Sequence, residues 1–370
     1  MTGIVSADCH VNEPPWVFDR VPAQYRDRAP RMMRGADGGD GWSFDGKPPV
    51  RTFGIETMAG RAAEDVRASG VRFDEIMPGN YDGTAHVADM DKDGVDVSIV
   101  YPCNAADLYV LTDREVALHC LRSYNDWVLQ DFQGACPARL VGLPMLPVDD
   151  GMEVTVAEFG RCAAAGAKGM FIPGLPERPY NDGYYDPLWQ RAHDTGIPLT
   201  FHRTFGGRTP DRRYDQAVSG YTNLSGSVVR WFSGVAPLTY MINGGVFERF
   251  PGVRLVVGEV NHGWVPFWLQ TFDETYTSAT GWAHLPITRK PSEYCGTNVF
   301  VTSLDDYTGY DMIAQGWPQL ADMVMYSTDY PHSAALWPNT RQYVDKLMGR
   351  LTATQREKIC SGNAARVYRL

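Results

Sequence analysis

The sequence has no Cys-x-x-Cys pair, no basic segment leading into an apolar one near its start, and no long unbroken apolar run. Its seven cysteines (Cys9, Cys103, Cys120, Cys136, Cys162, Cys295 and Cys360) are odd in number and widely scattered. Such spacing excludes a cysteine-bound zinc site and argues against a disulfide framework. Met1 to Asp8 lacks the charged and apolar regions of a secretory signal, so reduced thiols and a cytoplasmic location are expected. The longest charge-free apolar stretch, Trp231 to Phe247, is broken by Pro237, Asn243, Gly244 and Gly245 and does not read as a membrane span. Positive charge is short as well. Against 44 Asp and Glu stand 34 Lys and Arg, a net charge of −10 over 370 residues. A surface of that sign does not attract nucleic acid or anionic lipid, which leaves a small molecule as the expected partner.

What the chain does have is an alternation of short apolar runs with longer helical patterns. The runs are Ile4 to Ala7, Val97 to Tyr101, Leu140 to Met145, Ala167 to Ile172, Ile197 to Phe201, Leu255 to Gly258, Val299 to Thr302 and Met323 to Ser327. They are apolar and rich in β-branched residues without strict alternation, as in parallel strands covered on both faces. Between them, Asp113 to Gln133 is amphipathic, and Gly151 to Ala165 and Asp186 to Thr195 end at Gly166 and Gly196, residues suited to helix C-caps. Thr352 and Gln355 form a capping box. Eight such strands predict an α/β protein of a single domain, a (β/α)8 TIM barrel. The competing open doubly wound sheet lacks its Gly-x-Gly-x-x-Gly after any early strand. Residues 12–83 are too long for an ordinary βα loop and are expected to form an insertion, either a lid or a subunit contact.

Barrel active sites draw on residues at the C-terminal ends of the strands. There the first strand offers Asp8 and His10, two apart and so facing the same side. The fifth offers His202 and Arg203, the sixth Glu259 and His262, the eighth Asp329 and His332. Imidazoles and carboxylates together suit a divalent ion such as Zn²⁺ or Mn²⁺. Arg203 has the fork to grip a substrate carboxylate or a rim carboxylate of the protein itself. Trp264, Trp268 and Trp282 lie near enough in sequence to line an aromatic pocket, although Trp268 falls on one helical face with Val265 and Leu269, which suits packing against the barrel. His332 either meets substrate or orients Asp329. Glu13 and Asn12 are candidate supports for the metal site, and His86, His119, His193 and His284 read as surface or packing residues.

The segments SADCHVNEP (Ser6 to Pro14), YNDW (Tyr124 to Trp127), DPLWQRAHDTGIPLTFH (Asp186 to His202), FERFPGVRLVVGE (Phe247 to Glu259), STDYPH (Ser327 to His332) and SGNAARVY (Ser361 to Tyr368) carry a resemblance. In their order, over nearly the whole chain, they resemble the amidohydrolase superfamily, in the branch of aminocarboxymuconate semialdehyde decarboxylase and the aromatic-acid decarboxylases. The resemblance implies one divalent metal ion, zinc first and manganese second, held by Asp8, His10, His202 and Asp329. It implies that Asp329 relays a proton, and it suggests a homodimer or higher homo-oligomer. Two positions depart from the pattern. The first strand carries Asp-x-His where many superfamily hydrolases carry His-x-His, and Glu259 stands where the branch usually places a catalytic histidine. Either His262 takes over that role or Glu259 is a different general base.

The expected activity is metal-dependent, non-oxidative decarboxylation of a small aromatic or unsaturated carboxylic acid. The alternative is metal-dependent hydrolysis of an amide, lactone or related C–N or C–O bond. A non-catalytic barrel would require the four-ligand set to be accidental.

Overall fold

The computed structural model describes residues 3–203, 206–207 and 228–370. In chain order its strands are β1 (Val5–His10), β2 (Arg31–Arg34), β3 (Asp40–Ser43), β4 (Val97–Tyr101), β5 (Leu140–Gly142), β6 (Met170–Phe171), β7 (Leu199–His202), β8 (Leu255–Gly258), β9 (Val299–Ser303) and β10 (Val324–Tyr326). Each of the eight apolar runs overlaps one strand, and all eight strands are parallel to their neighbours. They form two sheets, β1-β4-β5 and β6-β7-β8-β9-β10. A parallel bridge of Met145 to Phe171 joins the sheets on one side. On the other, Asp329 N–H donates to Asp8 O (3.1 Å) and His10 N–H to Tyr330 O (2.7 Å), which closes the ring.

Every residue of these eight strands is buried except the half-buried Val97. That two-sided burial explains why the runs lack alternation: one face fills the ring and the other meets helices. Each fully buried Val, Leu, Ile or Phe side chain contributes roughly 1.5–3 kcal/mol. The helices begin and end where capping chemistry puts them. Asp82 accepts from Ala85 N–H ahead of the helix Gly83–Asp93, and Asp113 from Val116 N–H ahead of Arg114–Asp126. Thr352 and Gln355 make the reciprocal pair of a capping box. Gly196 ends Asp186–Thr195 at φ +62, and a Cβ there would sit 2.0 Å from Arg369 Nη2. Among the described residues no helix is long and apolar enough to cross a membrane.

Within 12–83, β2 and β3 form an antiparallel hairpin turned by the glycines at 35–39, closed by Gly35 N–H to Gly39 O (2.8 Å). Two of the segment's contacts with the barrel lie beside β10. Ser333 N–H donates to Ile55 O (2.7 Å) and Ala59 N–H to Pro331 O (2.9 Å), so residues 55–59 rest on the loop that follows β10.

His86 is a packing residue, wholly enclosed beside Phe132 and Tyr330, with Nδ1 2.8 Å from Gly79 O. Burial pulls its pKa from 6.5 down to about 4. Above pH 6.5 the folded and unfolded chains both keep it neutral. Below, the unfolded chain binds a proton that the fold refuses until about pH 4, so stability falls as pH drops through that window. A loss of about 2 kcal/mol between pH 6.5 and 5 is expected from this group, at 1.4 kcal/mol per pKa unit. Urea titrations at the two pH values check it, with His86→Gln expected to lose correspondingly less. Equal losses would refute the assignment.

Candidate metal centre

The ends of β1, β7 and β10 bring Asp8, His10, His202 and Asp329 together. A register shift between Ser6 and Cys9 lets β1 bulge as it leaves the ring and presents Asp8 and His10. His10 Nε2 stands 3.5 Å from Asp8 Oδ1 and 3.4 Å from Asp329 Oδ1, and His202 Nε2 is 3.7 Å from Asp8 Oδ1. All four residues are buried. Two triads of donor atoms, Asp8-His10-His202 and His10-Asp329-His332, each fall within 4.8 Å.

These residues fit a divalent ion. Asp8 Oδ1 and His10 Nε2 are buried and make no hydrogen bond to another described residue. Burial pushes the Asp8 carboxyl up to about 7, against the pull of His10 and with Asp329 adding to the rise. A buried carboxylate so disfavoured is stabilised when a cation joins it. Burial also raises Asp329, but the close imidazoles of His332 and His10 outweigh it and hold the carboxyl well below the ordinary range. His202 is held neutral, chiefly by burial and then by His10 and Arg203, which suits an imidazole ligand.

The surroundings lock these groups. Asp8 Oδ2 accepts from Thr302 Oγ1 (2.7 Å), whose oxygen accepts in turn from Glu259 N–H (2.7 Å). His332 places Nδ1 2.8 Å from Asp329 Oδ1 and stacks on His10 with ring centroids 4.1 Å apart. Arg203, Glu259 and Asp329 all have left-handed backbone, with φ of +40, +51 and +53. At a residue with a Cβ such a conformation costs of order 1–3 kcal/mol. Three of them at the strand ends of one site mark where the chain is bent to aim side chains.

The other expected residues lie as follows. Arg203, a candidate grip for substrate, is ion-paired with Glu259 and lies over Trp231, its guanidinium carbon 4.8 Å from the ring centroid. His262 is turned into the β9 side of the barrel: Nδ1 meets Ser303 Oγ at 2.9 Å, its N–H donates to Asp306 Oδ2 (2.7 Å), and the ring packs on Tyr310. The left-handed turns at Glu259 and Asn261 swing the chain that way. Trp264 is half-buried, donates to Val260 O (2.9 Å) and packs on Trp268, while Trp282 is 81% exposed. Glu13 takes N–H groups from Cys103 and Asn104, and Asn12 donates to Glu56 O, so both brace loops around the mouth. Thr302 and Trp231 are the partners that sequence reasoning missed. Thr302, as the first polar residue of an otherwise apolar strand, carried a readable signal.

Comparison with known proteins gives the chain its family. A family model described as amidohydrolase matches residues 7–370. A gamma-resorcylate decarboxylase from Rhodococcus jostii (strain RHA1) is 26% identical over 298 residues, 76% of this chain and 85% of the relative. Among solved structures, an amidohydrolase from Mycobacterium avium subsp. paratuberculosis K-10 superposes with a TM-score of 0.78 at 18% identity, covering 99% of this chain and 98% of the other. A dihydroxybenzoic acid decarboxylase from Polaromonas sp. JS666, solved with manganese and the inhibitor 2-nitroresorcinol, reaches 0.66 at 18% identity over 100% and 98%. The structural likenesses establish a shared fold over the whole chain, consistent with the (β/α)8 barrel expected from the strand runs. The family match runs from the first strand to the last residue, and the chain belongs to the amidohydrolase family.

Proposed function

We propose that the protein is a divalent-metal-dependent, non-oxidative decarboxylase of a small aromatic carboxylic acid. The observation that carries this reading is the buried set Asp8, His10, His202 and Asp329 at the strand ends. Support for decarboxylation over hydrolysis comes from relatives named as gamma-resorcylate and dihydroxybenzoic acid decarboxylases. Those four residues hold the ion, and their mixed oxygen and nitrogen donors accept zinc, the first expectation, as well as manganese, the ion in the Polaromonas relative. When bound, the ion supplies Lewis acidity toward the substrate carboxylate and an adjacent hydroxyl.

In this reading Asp329, ionised at rest, takes a proton from His332 and relays it to the ring carbon that bears the substrate carboxylate. The bond from that carbon to the carboxylate then breaks, carbon dioxide leaves, and the electron pair of the broken bond restores the ring. One proton is consumed per turnover, and His332, 2.8 Å from Asp329 Oδ1, resupplies it. Residues 12–83 serve as the cover of the site, a role supported by the contacts of 55–59 with the loop bearing His332. A cytoplasmic homodimer is the working form of this reading, and the seven free thiols suit that compartment.

The test is a panel of ortho-hydroxybenzoic acids given to metal-loaded protein, with carbon dioxide and the decarboxylated phenol measured together. Equal amounts of the two from at least one acid are expected. Hydrolysis of an amide or lactone, with no carbon dioxide from any acid, would overturn the reading.

A further inference from the structure

Glu259 departs from the pattern of its branch, and its surroundings give it a task. The carboxylate is 5% exposed and its two oxygens do different things. Oε1 is ion-paired with the Arg203 guanidinium. Oε2 is buried and accepts no hydrogen bond from another described residue, yet it lies 3.1 Å from His202 Nε2. We infer that Glu259 is a further ligand of the metal site, with Arg203 as the charge that permits a third carboxylate there. This rests on the metal-site reading above.

Spacing and charge support it together. Two donors bound at right angles to one ion, each about 2.1–2.2 Å away, stand about 3.0 Å apart. The contact between Oε2 and Nε2 has that length without being a hydrogen bond, as expected when two lone pairs aim at a common point. The His202 Nε2 involved also faces Asp8 Oδ1, which places Glu259 on the same side of the cluster as an established candidate donor. Asp8, Asp329 and Glu259 together carry three negative charges. A divalent cation and Arg203 carry three positive ones, so the buried site is neutral with both in place. Without Arg203 a third carboxylate would leave an excess negative charge out of water, a costly state.

A general base is a poorer description of the same residue. One of its oxygens is committed to Arg203, and the other points at a metal ligand. The left-handed backbone of both Arg203 and Glu259 turns the two side chains toward each other from neighbouring strand ends. The peptide of Glu259 also holds Thr302, and through it Asp8, so one residue fixes two corners of the cluster.

Three oxygens among five donors also make a harder site than the branch's histidine would. Replacing Glu259 by His is expected to shift preference from manganese toward zinc.

The experiment combines a structure with a titration. Protein loaded with Mn²⁺ is crystallised and the ion located by anomalous scattering, and Kd for Mn²⁺ and Zn²⁺ is measured for wild type, Glu259→Gln and Glu259→His. Expected are Glu259 Oε2 bonded directly to the ion, an Mn²⁺ Kd raised about 10-fold or more in Glu259→Gln, and a zinc-to-manganese preference increased in Glu259→His. Since Glu259→Gln takes a carboxylate away from the buried Arg203 guanidinium, the double variant Arg203→Met/Glu259→Gln removes the pair together and keeps the measurement available. An ion bound elsewhere in the cluster, more than about 3 Å from Glu259, with Kd unchanged in both Gln variants, overturns the inference and leaves the metal site standing. Wild-type protein that binds neither ion overturns the metal reading itself.

Discussion

Asp329→Asn lowers decarboxylation by about three orders of magnitude or more, the range of a lost general acid or base, and it does so without unfolding the barrel. Asparagine matches aspartate in shape and, with its short polar side chain, tolerates the left-handed backbone that residue 329 adopts. The Asp329 N–H bond to Asp8 O survives as well, because it belongs to the main chain. What disappears is the negative charge that faces His10 Nε2 at 3.4 Å and His332 Nδ1 at 2.8 Å, and with it the atom that would carry the proton. Two losses follow, one of metal affinity and one of proton delivery. Steady-state carbon dioxide release at rising metal concentration separates them. Saturating metal restores occupancy and leaves turnover low, while the thermal midpoint stays within a few degrees of wild type. Retention of more than a tenth of wild-type turnover at full occupancy would remove Asp329 from the role of proton carrier.

Stripping the metal with a chelator is the second large effect, and it reads on both activity and stability. Turnover falls to background and returns when Mn²⁺ or Zn²⁺ is added back. The fold loosens at the same time, since an ion present at 100 times its Kd stabilises the folded state by about 2.7 kcal/mol. The reason lies in Asp8 and His10, whose buried Oδ1 and Nε2 make no hydrogen bond to another described residue and face each other across 3.5 Å. Scanning calorimetry before and after chelation should show a lower midpoint that metal restores. A midpoint and a turnover rate indifferent to the chelator would remove the ion from both roles.

Much of this was readable from the chain, for identifiable reasons. Buried parallel strands are continuous apolar runs, so Leu255 to Gly258 announces β8 without help from any distant residue. Helix ends are local chemistry, which is why Thr352 with Gln355 and the glycine at 196 marked theirs correctly. The donor set was legible because strand ends converge in a barrel once the strands are counted. Direction was not. His262 follows Glu259 closely, yet its ring meets Ser303 and Asp306, because positive φ at 259 and 261 redirects the chain and no periodicity encodes that. A rim carboxylate was one expected partner for Arg203, but that it is Glu259 was hidden, since the pairing depends on neighbouring strand ends that are remote in sequence. The hairpin in 12–83 was missed because its strands are only four residues long and interrupted by polar residues, so they leave no apolar run.

The left-handed residues at the strand ends set a limit on improving this protein by screening. Glycine adopts that backbone at no steric cost, so at positions 203, 259 and 329 it would relieve strain while deleting an ion-pair donor, a carboxylate and a proton carrier. A library sorted for heat tolerance in the presence of a chelator, which removes the ion's own stabilisation, therefore favours barrels with an erased centre. Survivors of such a sort would be the inactive ones, and a useful campaign holds these three codons constant and seeks its gains in the outer helices.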